Sequence, residues 1–327
     1  MVSRRGLLIG GAVATGAVAA AGGAVAWSYN RAMAVADARV ATGSRLFTSS
    51  SGAMEYADVG DGTPLLMIHG TGGGFDQGLA FCRPLLDRGY RIIAPSRFGY
   101  LRSDFPVDPS SEAQADALVE LLDHLGIGRI VVAGGSAGAL PALALAIRHP
   151  DRCRALVAIV PASFVPGRPQ TPGPQGLQET AMTAMLNSDL LFWLALNTLP
   201  DLMIGTMLAT DPALLQTASD AERARVSQIL SDILPVSRRS RGLLNDARLA
   251  SNPAPMDLEA IKAPTLAISV EDDRFGTFEA ARHIAATVPG ARLVSYPTGG
   301  HVWVGHDDEL FEAVHQFVQG LPPTPSD

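Results

Sequence analysis

The sequence is poor in cysteine, in charged residues and in clustered basic residues, and each shortage excludes a class of protein. Its two cysteines, Cys82 and Cys153, match neither a metal-binding nor a redox spacing, and we expect both to be free and buried. The 25 lysines and arginines form no long basic run and the formal net charge is −7, which excludes the footprint of a nucleic-acid-binding protein. Only 17% of residues are charged against 47% hydrophobic, which predicts a sizeable core rather than disorder.

The first 34 residues differ from the rest of the chain. Arg4-Arg5 is followed by a long uncharged stretch rich in Gly, Ala, Val and Leu. At about 1.5 Å per residue, this stretch could just span a hydrocarbon core of ~30 Å. Ser3–Leu8 resembles a bacterial twin-arginine export signal, and Ala24-Val25-Ala26 offers a small-residue cleavage site. We expect residues 1–34 to be either an export signal or an uncleaved membrane anchor, and the protein to work in the periplasm, in the cell envelope or at the membrane.

From about Arg45 onward, short apolar runs alternate with segments of helical periodicity. Runs bounded by Pro or Gly are typical of buried parallel strands, and they lie at Leu65–Ile68, Arg91–Ala94, Ile130–Ala133, Ala155–Val160, Thr265–Val270 and Arg292–Tyr296. Helical patterns alternate with them, at Ser111–Leu125, Ala137–His149, Thr277–Val288 and Asp307–Leu321. This order predicts an α/β fold with a mostly parallel, doubly wound sheet and helices on both faces.

The alternation stops in the middle of the chain. Residues 164–176 (FVPGRPQTPGPQG) are rich in Pro and Gly and predict an irregular connection. Helix-like stretches rich in Leu and Met follow from about Leu177 to Leu249, without a convincing strand. We therefore expect a helical insertion, residues 162–255, between two parts of one α/β core, residues 45–161 and 256–322.

Gly134-Gly135-Ser136-Ala137-Gly138 fits the pattern G-x-S-x-G. The pattern alone is weak, because Gly and Ser are also ordinary turn residues. Here, however, a predicted strand runs straight into a predicted helix, which is the context of a serine nucleophile on a strained turn. A serine hydroxyl is a poor nucleophile until a base takes its proton, and an acid must orient that base.

Candidate bases and acids follow two late strands. His301 lies in a Gly-Gly loop directly after the last predicted strand and is the candidate base, with His306 at the start of the final helix as the alternative. Asp273 follows another predicted strand by three positions and is the candidate acid, with Asp272 as the main alternative. Because the carboxyl ends of parallel strands share one edge, we expect Ser136, His301 and an acid to meet there.

The stretch His69-Gly70-Thr71-Gly72-Gly73-Gly74 follows an early predicted strand. Its glycines would let backbone N–H groups approach a substrate closely, and the N–H groups of Thr71 and Ala137 are the candidate donors to an oxyanion. A nucleotide-phosphate site is a poor interpretation, because no Lys-Ser or Lys-Thr follows and no complete G-x-G-x-x-G is present. We expect neither a cofactor nor a metal.

The chain order Ser136, Asp273, His301, with the glycine-rich loop before them and a helical insertion among them, resembles the α/β-hydrolase superfamily. Residues 97–103 (RFGYLRS) are similar to the superfamily's R-x-G-x-G-x-S loop, with Tyr100-Leu101 where a second Gly is more usual. The resemblance covers about residues 45–321.

The resemblance implies a function for each matching position. Ser136 would be the nucleophile, His301 the base and Asp273 the acid, the N–H groups of Thr71 and Ala137 would form an oxyanion hole, and residues 162–255 would be a cap. The serine argues against the epoxide hydrolase and haloalkane dehalogenase branches, which use an aspartate there.

The predicted cap offers an apolar pocket and several cations. Candidate substrate-binding residues are Phe192, Trp193, Met203 and Met207, whose alternative role is to pack cap helices onto the core. We expect its arginines to form surface or cap–core ion pairs, with the binding of a substrate carboxylate as the alternative; they are Arg223, Arg225, Arg238, Arg239, Arg241 and Arg248.

The leading hypothesis is a serine hydrolase that cleaves a small to medium, largely apolar carboxylic ester through an acyl-enzyme intermediate. Hydrolysis of a C–C bond in a diketone, perhydrolysis or haloperoxidase-like activity, and acyl transfer use the same residues and remain alternatives, as does a non-catalytic ligand-binding protein. The expected partner is a small-molecule substrate, and the sequence leaves the oligomeric state open.

Overall fold

The computed structural model describes residues 4–169 and 176–322, and the chain divides into one compact unit up to Thr42 and another from Gly43 onward. The first unit is one helix, α1 (Arg4–Ala41), which runs on past Ala24-Val25-Ala26; residues 1–3 of the predicted leader lie outside the described residues. Among the described residues, no single helix has the length and hydropathy of a membrane span, although two later helices bent by 111° reach that level as a pair.

The second unit is built on an eight-stranded sheet. Its strands are β1 (Arg45–Ser49), β2 (Gly52–Val59), β3 (Thr63–Ile68), β4 (Tyr90–Pro95), β5 (Ile130–Gly135), β6 (Cys153–Ile159), β7 (Thr265–Val270) and β8 (Arg292–Tyr296). Their spatial order is β1-β2-β4-β3-β5-β6-β7-β8; the pairs β1–β2 and β2–β4 are antiparallel, and all the other pairs are parallel. The mostly parallel sheet was expected, whereas the β1–β2 hairpin was not, because its residues form no continuous apolar run.

Helices cover both faces of this sheet. One face carries α4 (Ser111–His124), α5 (Ala139–Arg148) and α12 (Thr277–Thr287), and the other carries α2 (Phe75–Phe81), α3 (Arg83–Leu86) and α13 (Asp307–Gln319). Alternate residues of β3 point to opposite faces, so Leu66 and Ile68 pack in the first core and Leu65 and Met67 in the second. Such strands are buried on both sides, which is why they are continuously apolar.

Helix α4 shows how local signals set an element's limits. Ser110 caps its start, with the hydroxyl oxygen accepting a hydrogen bond from the Ala113 N–H at 3.2 Å. Leu118, Leu121 and Leu122 are fully buried on one face of the helix. Beyond its end, Gly126 has a φ of 66°, a left-handed conformation that helix termini commonly use.

Between β6 and β7 the described chain is helical. The helices are α6 (Leu177–Leu186), α7 (Asp189–Thr198), α8 (Pro200–Met207), α9 (Leu214–Thr217), α10 (Asp220–Ser231) and α11 (Ser240–Ser251), and we call residues 176–251 the helical segment. Residues 170–175 of the predicted irregular connection lie outside the described residues. Helix α11 packs against the short turn Ser136–Gly138 at the end of β5, which places the helical segment beside the carboxyl ends of the strands.

Candidate active site

Ser136 lies on a strained turn between β5 and α5. Its φ is 51°, a left-handed conformation that costs a non-glycine residue on the order of 1–3 kcal/mol and so requires support from its surroundings. The flanking glycines allow the close packing that supplies this support. A Cβ at position 134 would lie 2.5 Å from the carbonyl oxygen of Gly138, and a Cβ at position 138 would collide with that of Ile68. The turn therefore holds the half-buried serine at the carboxyl edge of the sheet.

The structure brings Ser136, His301 and Asp273 into one hydrogen-bonded chain. The Ser136 Oγ and His301 Nε2 are 2.9 Å apart, and His301 Nδ1 is 2.7 Å from Asp273 Oδ2. With the proton on Nδ1 donated to the carboxylate, Nε2 is free to accept the serine proton. His301 is 8% and Asp273 5% exposed, so water is largely kept from this chain of bonds.

The carboxyl group of Asp273 is held in its ionised form. Burial raises the pKa of Asp273, but the charge and hydrogen bond of His301, together with hydrogen bonds from the Thr277 hydroxyl and the Phe275 N–H, outweigh burial and leave that pKa below its ordinary value. The Phe275 N–H donates to Asp273 Oδ1 at 2.8 Å, and the Thr277 hydroxyl donates to Oδ2. Asp273 can therefore orient His301 as a stable anion.

The two alternative residues have other partners. Asp272 accepts hydrogen bonds from the backbone N–H groups of Gly300, at 2.7 Å, and Gly299, at 3.3 Å. His306 places its Nδ1 2.9 Å from a carboxylate oxygen of Glu309 on its own helix and stacks on Tyr296. Asp272 thus contacts the backbone of the histidine loop, and His306 pairs with Glu309, while His301 is the histidine bonded to Ser136.

The glycine-rich loop passes directly beside the serine. A Cβ added to Gly70 would lie 3.1 Å from the Ser136 Cβ, which shows how closely the two backbones approach. The next residue, Thr71, is exposed, whereas Ala137, which follows the serine, is buried. The Gly72 N–H donates to the Tyr100 hydroxyl at 3.3 Å and so anchors the loop. One predicted oxyanion donor, Thr71, therefore follows a residue that packs against the serine, and the other, Ala137, follows the serine itself.

A buried ion pair that sequence reasoning missed joins the helical segment to the core. Arg97, after β4, donates to both carboxylate oxygens of Asp246 on α11, at 2.6 and 2.9 Å, and the Tyr100 hydroxyl donates to the same carboxylate at 2.5 Å. Burial, and then the negative charge of Asp246, raise the pKa of Tyr100 well above its ordinary value. The Arg97 N–H donates to His69 Nε2 at 2.9 Å, which connects this pair to the glycine-rich loop.

A second buried arginine binds the glycine-rich loop. Arg239, at the start of α11, is 0% exposed and pairs with Asp76 on α2 at 2.7 and 3.1 Å. It also donates to the carbonyl oxygen of Gly73. Arg239 thus joins the helical segment to the core through an ion pair. The spacing of Asp76 and Arg239 in the chain contains no signal that identifies the two as partners.

The predicted pocket residues lie inside the helical segment. Phe192, Trp193 and Met203 are buried and Met207 is half-buried. Other side chains of the helical segment do reach the loops of the site: Ile233 lies 3.3 Å from a Cβ built on Gly72, and Thr210 lies 2.6 Å from one built on Gly300. A separate surface cavity of about 650 Å³ is lined by residues that include Phe105 and Arg241, but not by Ser136, His301 or Asp273.

Comparisons with known proteins agree with this fold. A model of the alpha/beta hydrolase fold matches residues 63–304. The chain is 31% identical over 271 residues to 2-hydroxymuconate semialdehyde hydrolase of Pseudomonas putida, covering 80% of this chain and 89% of the relative. It is 29% identical over 279 residues to 2-hydroxy-6-oxononadienedioate/2-hydroxy-6-oxononatrienedioate hydrolase 2 of the same species, covering 81% of this chain and 91% of the relative. An alpha/beta hydrolase fold protein from Nakamurella multipartita matches in structure with a TM-score of 0.66 and 27% identity, over 84% of this chain and 99% of its own.

Proposed function

The chain belongs to the alpha/beta hydrolase fold family and is a hydrolase, and we propose that it cleaves a small to medium, largely apolar carboxylic ester through a covalent acyl-enzyme. The observation that carries this proposal is the continuous hydrogen-bonded chain from Ser136 through His301 to Asp273. Together these three groups supply a nucleophile, a base and an orienting anion, which acyl transfer requires.

In the proposed reaction, Ser136 Oγ attacks the ester carbonyl while His301 Nε2 takes the serine proton. The imidazolium then returns this proton to the departing alkoxide, which leaves the acyl group on the serine. A water molecule, deprotonated by His301, attacks the acyl-enzyme and releases the acid. Asp273 remains ionised throughout and stabilises the imidazolium, which agrees with its lowered pKa.

We assign the oxyanion hole to the backbone N–H groups of Thr71 and Ala137. Thr71 follows Gly70, which lies against Ser136, and Ala137 follows Ser136 itself. The turn after Ser136 leads into α5, so the partial positive charge at the start of that helix also favours an anion there. We further propose that the helical segment acts as a cap, because α11 packs on this turn and Ile233 and Thr210 reach the adjoining loops.

Two ion pairs favour an uncharged substrate. The arginines that are buried in the described part of the chain, Arg97 and Arg239, already have carboxylate partners in Asp246 and Asp76. An anionic substrate that paired with either arginine would displace its partner and leave a buried carboxylate without its cation, which is costly. An ester without a charge near its carbonyl avoids this cost.

The curated relatives favour a second candidate, hydrolysis of a C–C bond in a diketone acid. Those relatives are hydrolases of 2-hydroxymuconate semialdehyde and of 2-hydroxy-6-oxononadienedioate. The same serine, histidine and aspartate would serve this reaction. Turnover of p-nitrophenyl esters from acetate to octanoate, measured beside 2-hydroxy-6-oxononadienedioate, distinguishes the candidates: higher kcat/KM for an ester supports the first, and higher kcat/KM for the dienedioate replaces it with the second.

The covalent step has its own test. A fluorophosphonate probe should label the wild-type protein at Ser136, and Ser136→Ala should show no labelling and a loss of roughly 10⁴- to 10⁶-fold in kcat. Intact-protein mass spectrometry measures the adduct, and thermal unfolding confirms that both proteins are folded. A folded wild-type protein that remains unlabelled would exclude the acyl-enzyme.

For the N-terminal unit we propose the two locations expected from the sequence, either export after cleavage near Ala26 or attachment to the membrane through an intact α1. The support is the twin-arginine-like Ser3–Leu8 and the long uncharged stretch. Sequencing the N-terminus of protein from a bacterial envelope fraction decides between them: a start just after Ala26 indicates a cleaved signal, and a start near Met1 indicates an anchor.

A further inference from the structure

The loop that carries His301 has an irregular backbone and needs outside support. Trp303 has a φ of 45°, which costs a bulky residue on the order of 1–3 kcal/mol. Within the loop, the Val304 N–H donates to the Gly299 carbonyl at 2.8 Å and the Trp303 N–H to the Gly300 carbonyl at 3.2 Å. A loop held by few internal bonds takes its position from the groups packed around it.

Arg225 of helix α10 reaches this loop from the helical segment. Its Nη2 donates to the carbonyl oxygen of Val302, the residue after His301, at 2.7 Å. Its guanidinium lies 5.7 Å from the ring centroid of Trp303, a cation–π distance. The indole N–H of Trp303 donates in turn to Asp307 at 2.8 Å, and Arg225 lies 3.5 Å from the same carboxylate oxygen. The Arg225 side chain thus contacts the loop in three ways: a hydrogen bond to its backbone, a cation–π contact with Trp303 and an ion pair with Asp307.

Glu222, one helical turn before Arg225, holds the other end of the same loop. It forms a two-pronged ion pair with Arg225, both bonds 2.9 Å long, and accepts a hydrogen bond from the Gly305 N–H at 2.7 Å. Burial raises the pKa of Glu222, but the hydrogen bonds from Arg225 and the Gly305 N–H bring it below its ordinary value. The ionised pair therefore spans the stretch from Val302 to Gly305.

The core holds the opposite side of the loop. There, Asp272 accepts the N–H groups of Gly299 and Gly300. We propose that Arg225, held by Glu222, is a positioning residue that fixes the His301 imidazole between Ser136 and Asp273. This inference rests on the proposed role of His301 as the base, and it makes the helical segment part of the machinery that sets the rate of acylation.

The neighbouring Arg223 provides a matched control on the same helix. It donates to the carbonyl oxygens of Ala218 and Leu215 and pairs with Asp220, so its contacts stay near the start of α10. Both residues are arginines, both pair with a carboxylate three positions earlier, and only Arg225 reaches the histidine loop. Removing Arg223 therefore tests for any general effect of losing an arginine from this helix.

The experiment compares Arg225→Met, Arg225→Lys, Glu222→Gln and Arg223→Ala. The readouts are the second-order rate of fluorophosphonate labelling of Ser136, kcat and KM on a p-nitrophenyl ester, and the thermal midpoint. We expect Arg225→Met to lower kcat and the labelling rate by roughly 10- to 100-fold with KM changed less than threefold, because a shift of ~1 Å at a reacting group has effects of this size.

Arg225→Lys should recover part of that loss, since lysine can still donate to Val302 but cannot form the two-pronged pair. Glu222→Gln should fall between wild type and Arg225→Met, and it carries the test if Arg225→Met does not fold. Arg223→Ala should match wild type. If Arg225→Met and Glu222→Gln both fold and are labelled at the wild-type rate, the positioning role of Arg225 is wrong while the proposed function stands. If the wild-type protein itself is not labelled, both the positioning role and the proposed function are wrong.

Discussion

The carboxyl ends of β5, β7 and β8 present Ser136, Asp273 and His301 on turns that belong to the sheet, whereas the helical segment reaches the same place through long side chains and a few backbone hydrogen bonds. On the sheet side, local backbone geometry matters most, as in the serine turn with its φ of 51°. On the helical side, arginine–carboxylate ion pairs attach the helical segment to the loops of the site. We infer that the sheet carries the chemistry and that the helical segment sets its geometry and what can enter.

This difference has a physical cause. Parallel strands place their carboxyl ends at one edge, so short turns after separate strands converge without long side chains. The helical segment must be attached to those turns across a surface, and long arginine side chains can bridge it with two parallel hydrogen bonds. Changes on the sheet side should therefore abolish turnover, while changes on the helical side should alter stability and rate by degrees.

The largest expected effect is on the sheet side, at the two adjacent acids. Asp273→Asn should lower kcat by about 10⁴-fold, because the amide favours the wrong imidazole tautomer. Asp272→Asn should cost only about 10- to 100-fold, because it disturbs the backbone of the histidine loop rather than the imidazole itself. Steady-state hydrolysis of one ester by both variants measures this, and a larger loss for Asp272→Asn would transfer the role of acid to that residue.

The next effect concerns the attachment of the helical segment. Asp246→Ala should lower the free energy of unfolding by about 3–5 kcal/mol, because it leaves Arg97 buried without its counter-charge. Asp116→Ala is the matched control, because its ion pair with Arg148 is exposed to solvent. The Arg148 side chain is 44% exposed and that of Asp116 is 41% exposed, so the free energy of unfolding should fall by only about 0–1 kcal/mol. Urea unfolding measures both, and equal losses would remove the distinction between attachment and surface pairing.

The smallest effect is a pH dependence at the contact between the two regions. Burial, and then the charge of Arg97, lower the pKa of His69 well below 6.5. Below about pH 6.5 the unfolded chain takes up a proton that the folded protein does not, so stability should fall as pH decreases from 6.5, by at most about 1.4 kcal/mol per pH unit. His69→Gln should show a shallower slope in urea unfolding between pH 6.5 and 5, and an unchanged slope would contradict this origin.

Parts of the fold were predictable because they depend on near neighbours in the chain. Thr265–Val270 and Arg292–Tyr296 have the predicted bounds. The first is fully buried inside the parallel sheet, and the second is the partly exposed strand at its edge. The β1–β2 hairpin was missed because its polar residues are tolerated at the sheet edge. The predicted helix at Ala137 begins as a tighter turn at Ser136 because the serine's strained backbone delays regular α-helix.

For the site, the sequence by itself determined the candidates: a serine between glycines after a strand, two of the seven histidines close after the last strand, and two adjacent acids. Only the tertiary structure decided which acid faces His301, because neighbouring residues point in different directions and their orientation depends on the packing of the whole loop. It alone paired Arg225 with the histidine loop, Arg239 with Asp76 and Arg97 with Asp246. These partners are far apart in the chain, and their contact depends on how the helical segment packs against the sheet, which no local pattern encodes.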